Sequence, residues 1–327
     1  MITTLIWEKS SDYQAGVVDQ DGLWKKVIGE LFEDFLLFFS PELHAEVDFS
    51  VGAEFLQQEL FQQIIKEKSG RRSTDQLVKV HLKGGQEKWV LIHVEVQSTN
   101  EKDFAKRMFQ YFYRIYDRYD KEIVTLAIMT SPYNSAFSTE FNYTYFGTEL
   151  HYAYTNHKLI DYDNTMLEQS DKLFSKIILA AKYKNDTEHN AERRYMFKEK
   201  LMREMIRNDC YSDIEVQAVI YFVDYLLRLP EDLVAKLYDS LAPIIQEEGK
   251  DMVQFNSGEW SPTMEAIFAR IQENAERVGM EKGIEQGLEK GLEQVVIEML
   301  KKGLTTDLIA EVTHLERAKI EELRETI

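Results

Sequence analysis

Two carboxylates, Asp75 and Glu95, stand in neighbouring apolar strands joined through Gly84-Gly85, and the second strand reads His93-Val94-Glu95-Val96-Gln97. Acidic side chains brought together by paired strands suit a hard divalent cation, Mg2+ or alternatively Mn2+, which takes carboxylates, waters and substrate phosphates as oxygen ligands. The Val96 carbonyl, next along the strand, can supply a third oxygen. Such an ion acidifies water and offsets charge on a phosphoryl group under attack. Gln97 shares a strand face with Glu95; its amide can hydrogen-bond a water or a phosphate but cannot accept a proton at neutral pH. Acidic residues at strand ends also occur as plain solvated charges, as Glu54 and Glu59 read on their own, and His93 reads as a half-buried histidine. Spacing alone leaves both readings open.

Register decides whether the carboxylates meet. A two-residue Gly84-Gly85 loop would pair Asp75 with Val94 and send the two acids to opposite faces. A three-residue loop, Gly84-Gly85-Gln86, pairs Asp75 with Glu95, and glycine supplies the positive φ such a loop needs. The three-residue loop, or a bulge of equal effect, is expected. Within the second strand Val90, Ile92, Val94 and Val96 point to one face, read as core. Trp89, Leu91, His93, Glu95 and Gln97 point to the other, which turns polar towards its end.

The strand pair is followed by a helix expected over Lys102 to Tyr119, with Phe104, Met108, Phe112, Ile115 and Tyr119 as its apolar stripe. Arg107, Tyr111, Arg114 and Arg118, the candidate substrate-binding residues, form a second stripe about 90° away at roughly 100° per residue. From Lys66 to Lys121 there are 13 Lys and Arg against 8 Asp and Glu, a local balance of +5 in a chain of net charge −18. One basic island in an acidic chain fits a localised phosphate-contacting face, and equally an uneven solvated surface.

The elements that must position these groups have readable limits. A helical pattern runs from Asp21 or Gly22 through Phe39 and stops at Ser40-Pro41; a second helix is expected from Gly52 to Lys68. Ile123 to Met129 reads as a short buried strand and Phe141 to Ile160 as a hairpin or extended excursion. From Asp163 the pattern is helical, over Thr165–Lys184, Ala191–Asn208, Asp213–Leu229 and Glu231–Gln246, with a last helix from Thr263. Chain length allows two domains or a core with an appendage. A single cysteine, Cys210, fits a reducing compartment. Met1 to Asp12 lacks a signal-peptide pattern, and the apolar run Phe35–Phe39 is far short of the roughly 18 residues of a membrane span. A cytoplasmic chain with no membrane partner is expected.

The order helix, strand with Asp, strand with Glu-x-Gln, helix with Arg, strand resembles the common core of the PD-(D/E)XK nuclease superfamily. The closer resemblance is to its recombination-promoting nuclease and transposase branch. It rests on Phe55-Leu56-Gln57-Gln58-Glu59-Leu60, Arg71-Arg72-Ser73-Thr74-Asp75, His93-Val94-Glu95-Val96-Gln97 and Phe104-Ala105-Lys106-Arg107-Met108 with Tyr111. Trp24-Lys25-Lys26, Phe38-Phe39-Ser40-Pro41-Glu42-Leu43 and the glycine-repeat tail are similar too, although the specific motifs lie within about residues 21 to 135. The resemblance implies an α/β nuclease core, a mixed sheet flanked by helices, followed by an all-helical region. It implies a metal-dependent DNA endonuclease associated with mobile elements and recombination. Asp75 and Glu95 match the motif acids, and Gln97 stands where most of the superfamily has lysine, a departure this branch shares. Arg107 is the candidate for the missing positive charge, Lys79 a poorer one, and Glu59 a possible extra acid. Alternatives are a DNA-binding module without catalysis and a helical interaction protein.

Divisions are expected at residues 21–162 for the nuclease-like core, 163–278 for a helical region and 279–327 for the tail. In the tail Gly279, Gly283, Gly287 and Gly291 recur every fourth residue, each followed by an apolar residue and Glu. Glycine disfavours a helix by about 1 kcal/mol relative to alanine, so the repeat reads either as a close helix-packing surface or as a weakly helical linker. Leu304 to Leu323 suggests two short helices. They faintly resemble a helix-turn-helix, but the acidic second half suits oligomerisation or docking at least as well.

Overall fold

The computed structural model describes residues 20–56, 76–84, 89–97, 103–132, 138–247 and 261–325. The chain divides into two compact units between Ala266 and Ile267.

In the first unit, helix α1 (Gln20–Glu30) and helix α2 (Phe32–Phe39) carry Trp24, Val27, Ile28, Leu31, Phe35 and Leu36 at helical spacing, all buried. The single helix expected there is broken at Leu31, whose backbone leaves helical geometry at φ −114°, ψ 41°. Pro41 opens the short helix α3 (Pro41–Glu46), a position where the missing N–H is no loss.

Strand β1 (Glu54–Leu56) follows, which corrects the helix expected from Gly52. Gly52 has φ +82°, which a right-handed helix cannot contain, and Glu54, Phe55 and Leu56 instead pair with Lys79, Val78 and Leu77. The remainder of that expected helix, with Glu59, lies outside the described residues. Strands β2 (Gln76–His81), β3 (Trp89–Gln97), β4 (Ile123–Met129) and β7 (Thr155–Lys158) complete a sheet in the order β1-β2-β3-β4-β7. β1, β2 and β3 are antiparallel; β3, β4 and β7 are parallel.

Helix α4 (Phe104–Tyr119) makes the crossover between parallel β3 and β4 that such a pair requires. It covers one face of the sheet, packing Tyr111 and Ile115 on Leu77, and Phe104 and Met108 on Ala127 and Met129. On the other face Gln76 Nε2 donates to the Lys25 carbonyl of α1 at 2.8 Å, and His157 of β7 lies 4.8 Å from the Phe39 ring of α2. A second sheet is the hairpin of β5 (Glu140–Tyr145) and β6 (Thr148–Ala153), within the stretch expected to make one.

Residues 164–247 are helical: α5 (Asn164–Gln169), α6 (Phe174–Asp186), α7 (Ala191–Arg207), α8 (Asp213–Leu226) and α9 (Glu231–Glu247). The helix expected over Thr165–Lys184 is two, because the Ser170 hydroxyl accepts from the Lys172 N–H and diverts the backbone. α8 starts on a capping box between Ser212 and Glu215. α6 and α8 are buried almost all round, as central helices must be. Trp24 meets Phe222 at 5.2 Å and Phe35 meets Phe174 at 5.4 Å, so the N-terminal helices share one core with these.

Helix α10 (Pro262–Lys301) continues unbroken through the glycine repeat. The second unit adds α11 (Thr306–Thr313) and α12 (Arg317–Glu325), the two short helices expected, packed through Val296, Ile309, Ile320 and Leu323. Among the described residues no helix is long and apolar enough to cross a membrane.

Candidate active site

The expected pairing of Asp75 with Glu95 requires Gln76 to face Val94. It does, and the ladder runs on through Leu77–His93 and Val78–Ile92 to His81–Trp89. Asp75 itself lies outside the described residues. For Glu95, Val96 and Gln97 the strand and its pairing are described: on β4 they stand level with Ala127, Ile128 and Met129. Ala127 and Met129 pack beneath α4, so positions 95 and 97 fall on the face of the sheet that this helix covers. They also fall at the carboxyl ends of parallel strands, where open α/β sheets leave crevices for ligands.

α4 presents two flanks on either side of its buried stripe. At about 100° per residue, Arg107, Arg114 and Arg118 share one flank, and Phe109, Phe112, Tyr113 and Tyr116 the other. Arg107 and Arg114 are half-buried and Arg118 is exposed. The Arg107 guanidinium lies 5.3 Å from the Phe104 ring. Arg114 Nη1 is shielded from solvent and has no hydrogen-bond partner among the described residues. Tyr111, expected to bind substrate together with the arginines, is instead buried against Leu77 and Ile115 beneath the helix. Lys79 is held on β1 by Glu54 at 3.0 Å.

Burial raises the phenols that border this face. The Tyr152 hydroxyl is pushed up to about 12, although the Thr125 hydroxyl 3.1 Å away, which can donate to the phenolate, works the other way. Tyr154 is raised by burial and by Tyr152, while the Arg107 charge pulls it back, so the guanidinium is felt at this edge of the sheet. Among the described residues no group of three or more His, Cys, Asp or Glu side chains could hold a metal; Asp75 and Glu59 are not among them.

β7 lies within the Phe141 to Ile160 stretch expected as a hairpin or extended excursion, with no site residue expected on it. Its register sets Asn156 level with Ala127 and Lys158 level with Met129, on the α4 face. Both amide atoms of Asn156 are shielded and lack a hydrogen-bond partner among the described residues. Thr155-Asn156-His157-Lys158 is polar throughout, so no apolar alternation marks it as a strand.

Residues 20–130 match the family described as "Putative transposase, YhgA-like". The match spans a third of the chain, takes in Asp75, Glu95, Gln97 and the arginines of α4, and agrees with the family resemblance carried by the motifs. Neither a curated protein nor a solved structure gives a match.

Proposed function

We propose that residues 21–162 form a PD-(D/E)XK-type nuclease core. On this reading the chain is a Mg2+-dependent DNA endonuclease of recombination or mobile elements, acting in the cytoplasm. The observation that carries the reading is the β2–β3 register. With Gln76 opposite Val94, the register is the one an Asp75–Glu95 pair demands, on the face of the sheet that α4 covers. Asp75, Glu95 and the Val96 carbonyl form an all-oxygen donor set that fits Mg2+ or Mn2+ and would hold the ion. When bound, the ion supplies charge neutralisation at the phosphate and acidifies water.

The chain's own groups do the rest. Gln97 orients the attacking water or a phosphate oxygen through its amide, and Arg107 supplies the positive charge that lysine gives elsewhere in the superfamily. Arg114 and Arg118 engage the DNA backbone, Tyr111 supports α4 from beneath, and Glu59 adds an acid from the segment before β2. The helical C-terminal region is assigned to homo-oligomer contacts.

Nicking of supercoiled DNA tests the assignment. The native chain is expected to nick with Mg2+, and Asp75→Ala to fall to the level seen in EDTA; equal activity in all three conditions overturns it. Gln97 favours one second reading, DNA binding without cleavage, which predicts salt-sensitive binding and no nicking by the native chain.

A further inference from the structure

The β5–β6 hairpin carries aromatic rings that the nuclease reading does not use. Phe141, Tyr143 and Tyr145 alternate onto one face, across from Tyr152, Leu150 and Thr148. The base of that face is packed: Phe141 stacks on Phe109 of α4 at 5.3 Å, and Tyr152 meets Phe112 at 4.9 Å. Its outer part is open, Tyr143 being 46% and Tyr145 61% exposed. α4 adds Tyr113, stacked on Phe109 at 6.3 Å, and Tyr116, stacked on Phe112 at 5.9 Å, both about half exposed.

The tip is the most unusual part. Phe146 has φ +43° and is 92% exposed, followed by Gly147 at φ +83°. Two-residue turns with positive φ at both centres select Asn, Asp or Gly, and a bulky ring there is strained. Phe146 touches Tyr145 edge-on at 4.6 Å, extending the aromatic row into solvent. Strain and exposure held together at one residue point to a contact with something outside the fold.

Charge indicates what that something is. Arg107, Arg114 and Arg118 lie along the flank of α4 opposite Tyr113 and Tyr116, and a helix with its side chains is only about 10–12 Å across. We propose that unpaired bases of single-stranded DNA stack on Tyr143, Tyr145 and Phe146, while the phosphates of adjoining nucleotides in the strand cross α4 to the arginine flank. The choice of DNA rests on the nuclease reading, which this deepens by naming unpaired nucleotides as the bound form. Stacking is sequence-tolerant because every base has a π-face, whereas a duplex keeps its bases inside and offers only its backbone. The acidic side chains Glu140 and Glu149 lie on the hairpin face opposite the ring row, and Asp117 on the crest of α4, so the arginine side is the one that favours phosphates.

Fluorescence anisotropy of the full chain in EDTA, with labelled oligothymidine and a duplex of equal length, tests this without cleavage. The single strand is expected to bind more tightly. Tyr143→Ala with Tyr145→Ala should weaken it about ten-fold or more and leave the duplex unchanged. Tyr145→Trp should keep the affinity and lose fluorescence when the strand binds. Unchanged affinity in the alanine pair, equal loss for duplex, a change in self-association alone, or a Tyr145→Trp fluorescence that the bound strand leaves unquenched overturns the platform. Any of these beside Mg2+-dependent nicking leaves the nuclease reading standing. Quenching without nicking by the native chain does the reverse.

Discussion

Lys198 of α7 and Asp224 of α8 lie 2.5 Å apart with both side chains fully buried. Burial alone would push the Asp224 carboxyl up, but the Lys198 ammonium and the hydrogen bonds from Thr263 outweigh it and hold it below the ordinary 3.8. Its contribution to stability is therefore present above pH 3.8 and lost as the pH falls through the depressed folded value. Lys198→Met strands the carboxylate and is expected to cost about 3–5 kcal/mol in urea unfolding; adding Asp224→Leu should recover much of it. Asp34 on α2 behaves in the opposite sense. Burial, with Glu215 and Glu33 nearby, raises its carboxyl from 3.8 to about 6. Between those values the folded chain keeps a proton that the unfolded chain has released, so stability falls as the pH rises through that window. Asp34→Asn should raise the melting temperature at neutral pH and change nothing below pH 3.8. Legibility at this scale is uneven. The shared flank of Arg107, Arg114 and Arg118 follows from helical spacing, while Asn156 carries no mark until β7 sets it level with Ala127.

Elements are legible where one period rules. Ile123–Met129 is the strand its apolar run, interrupted by Thr125 alone, predicts, and α4 ends at Tyr119 as expected. β1 misleads because Phe55 and Leu56 also fit the helical spacing of the residues after them; only the turn at Gly52 and the open edge of β2 decide for a strand. The glycine repeat leaves two readings open in sequence. In this chain it is helical, and a Cβ at Gly279, Gly283, Gly287 or Gly291 would meet nothing within 4 Å. Gly283→Ala and Gly287→Ala are each expected to stabilise α10 by about 0.5–1 kcal/mol, read from thermal unfolding. Loss of an assembled state in the same variants would instead mark the glycines as the approach surface of a second helix.

Over the whole molecule, charge and connectivity matter more than any one group. A chain of net charge −18 repels nucleic acid except where the basic island prevails. If Arg107, Arg114 and Arg118 each neutralise one phosphate, log K for a single strand should fall against log salt with a slope of about −2. A flat dependence would remove those contacts. Composition reveals the island but not the closeness of the parts, since Trp24 on Phe222 is a contact that no local pattern encodes.

β7 contributes the fifth strand of the sheet from beyond the segment that the family match covers. A fragment ended after Ser131 would keep every residue of that match yet strip β4 of its outer neighbour, baring the backbone of Leu126 to Met129. An uncapped edge of that kind recruits other chains. Anyone isolating the motif-bearing third of this protein should expect precipitate, and should carry the cut past Lys158 and the helices that cover Trp24.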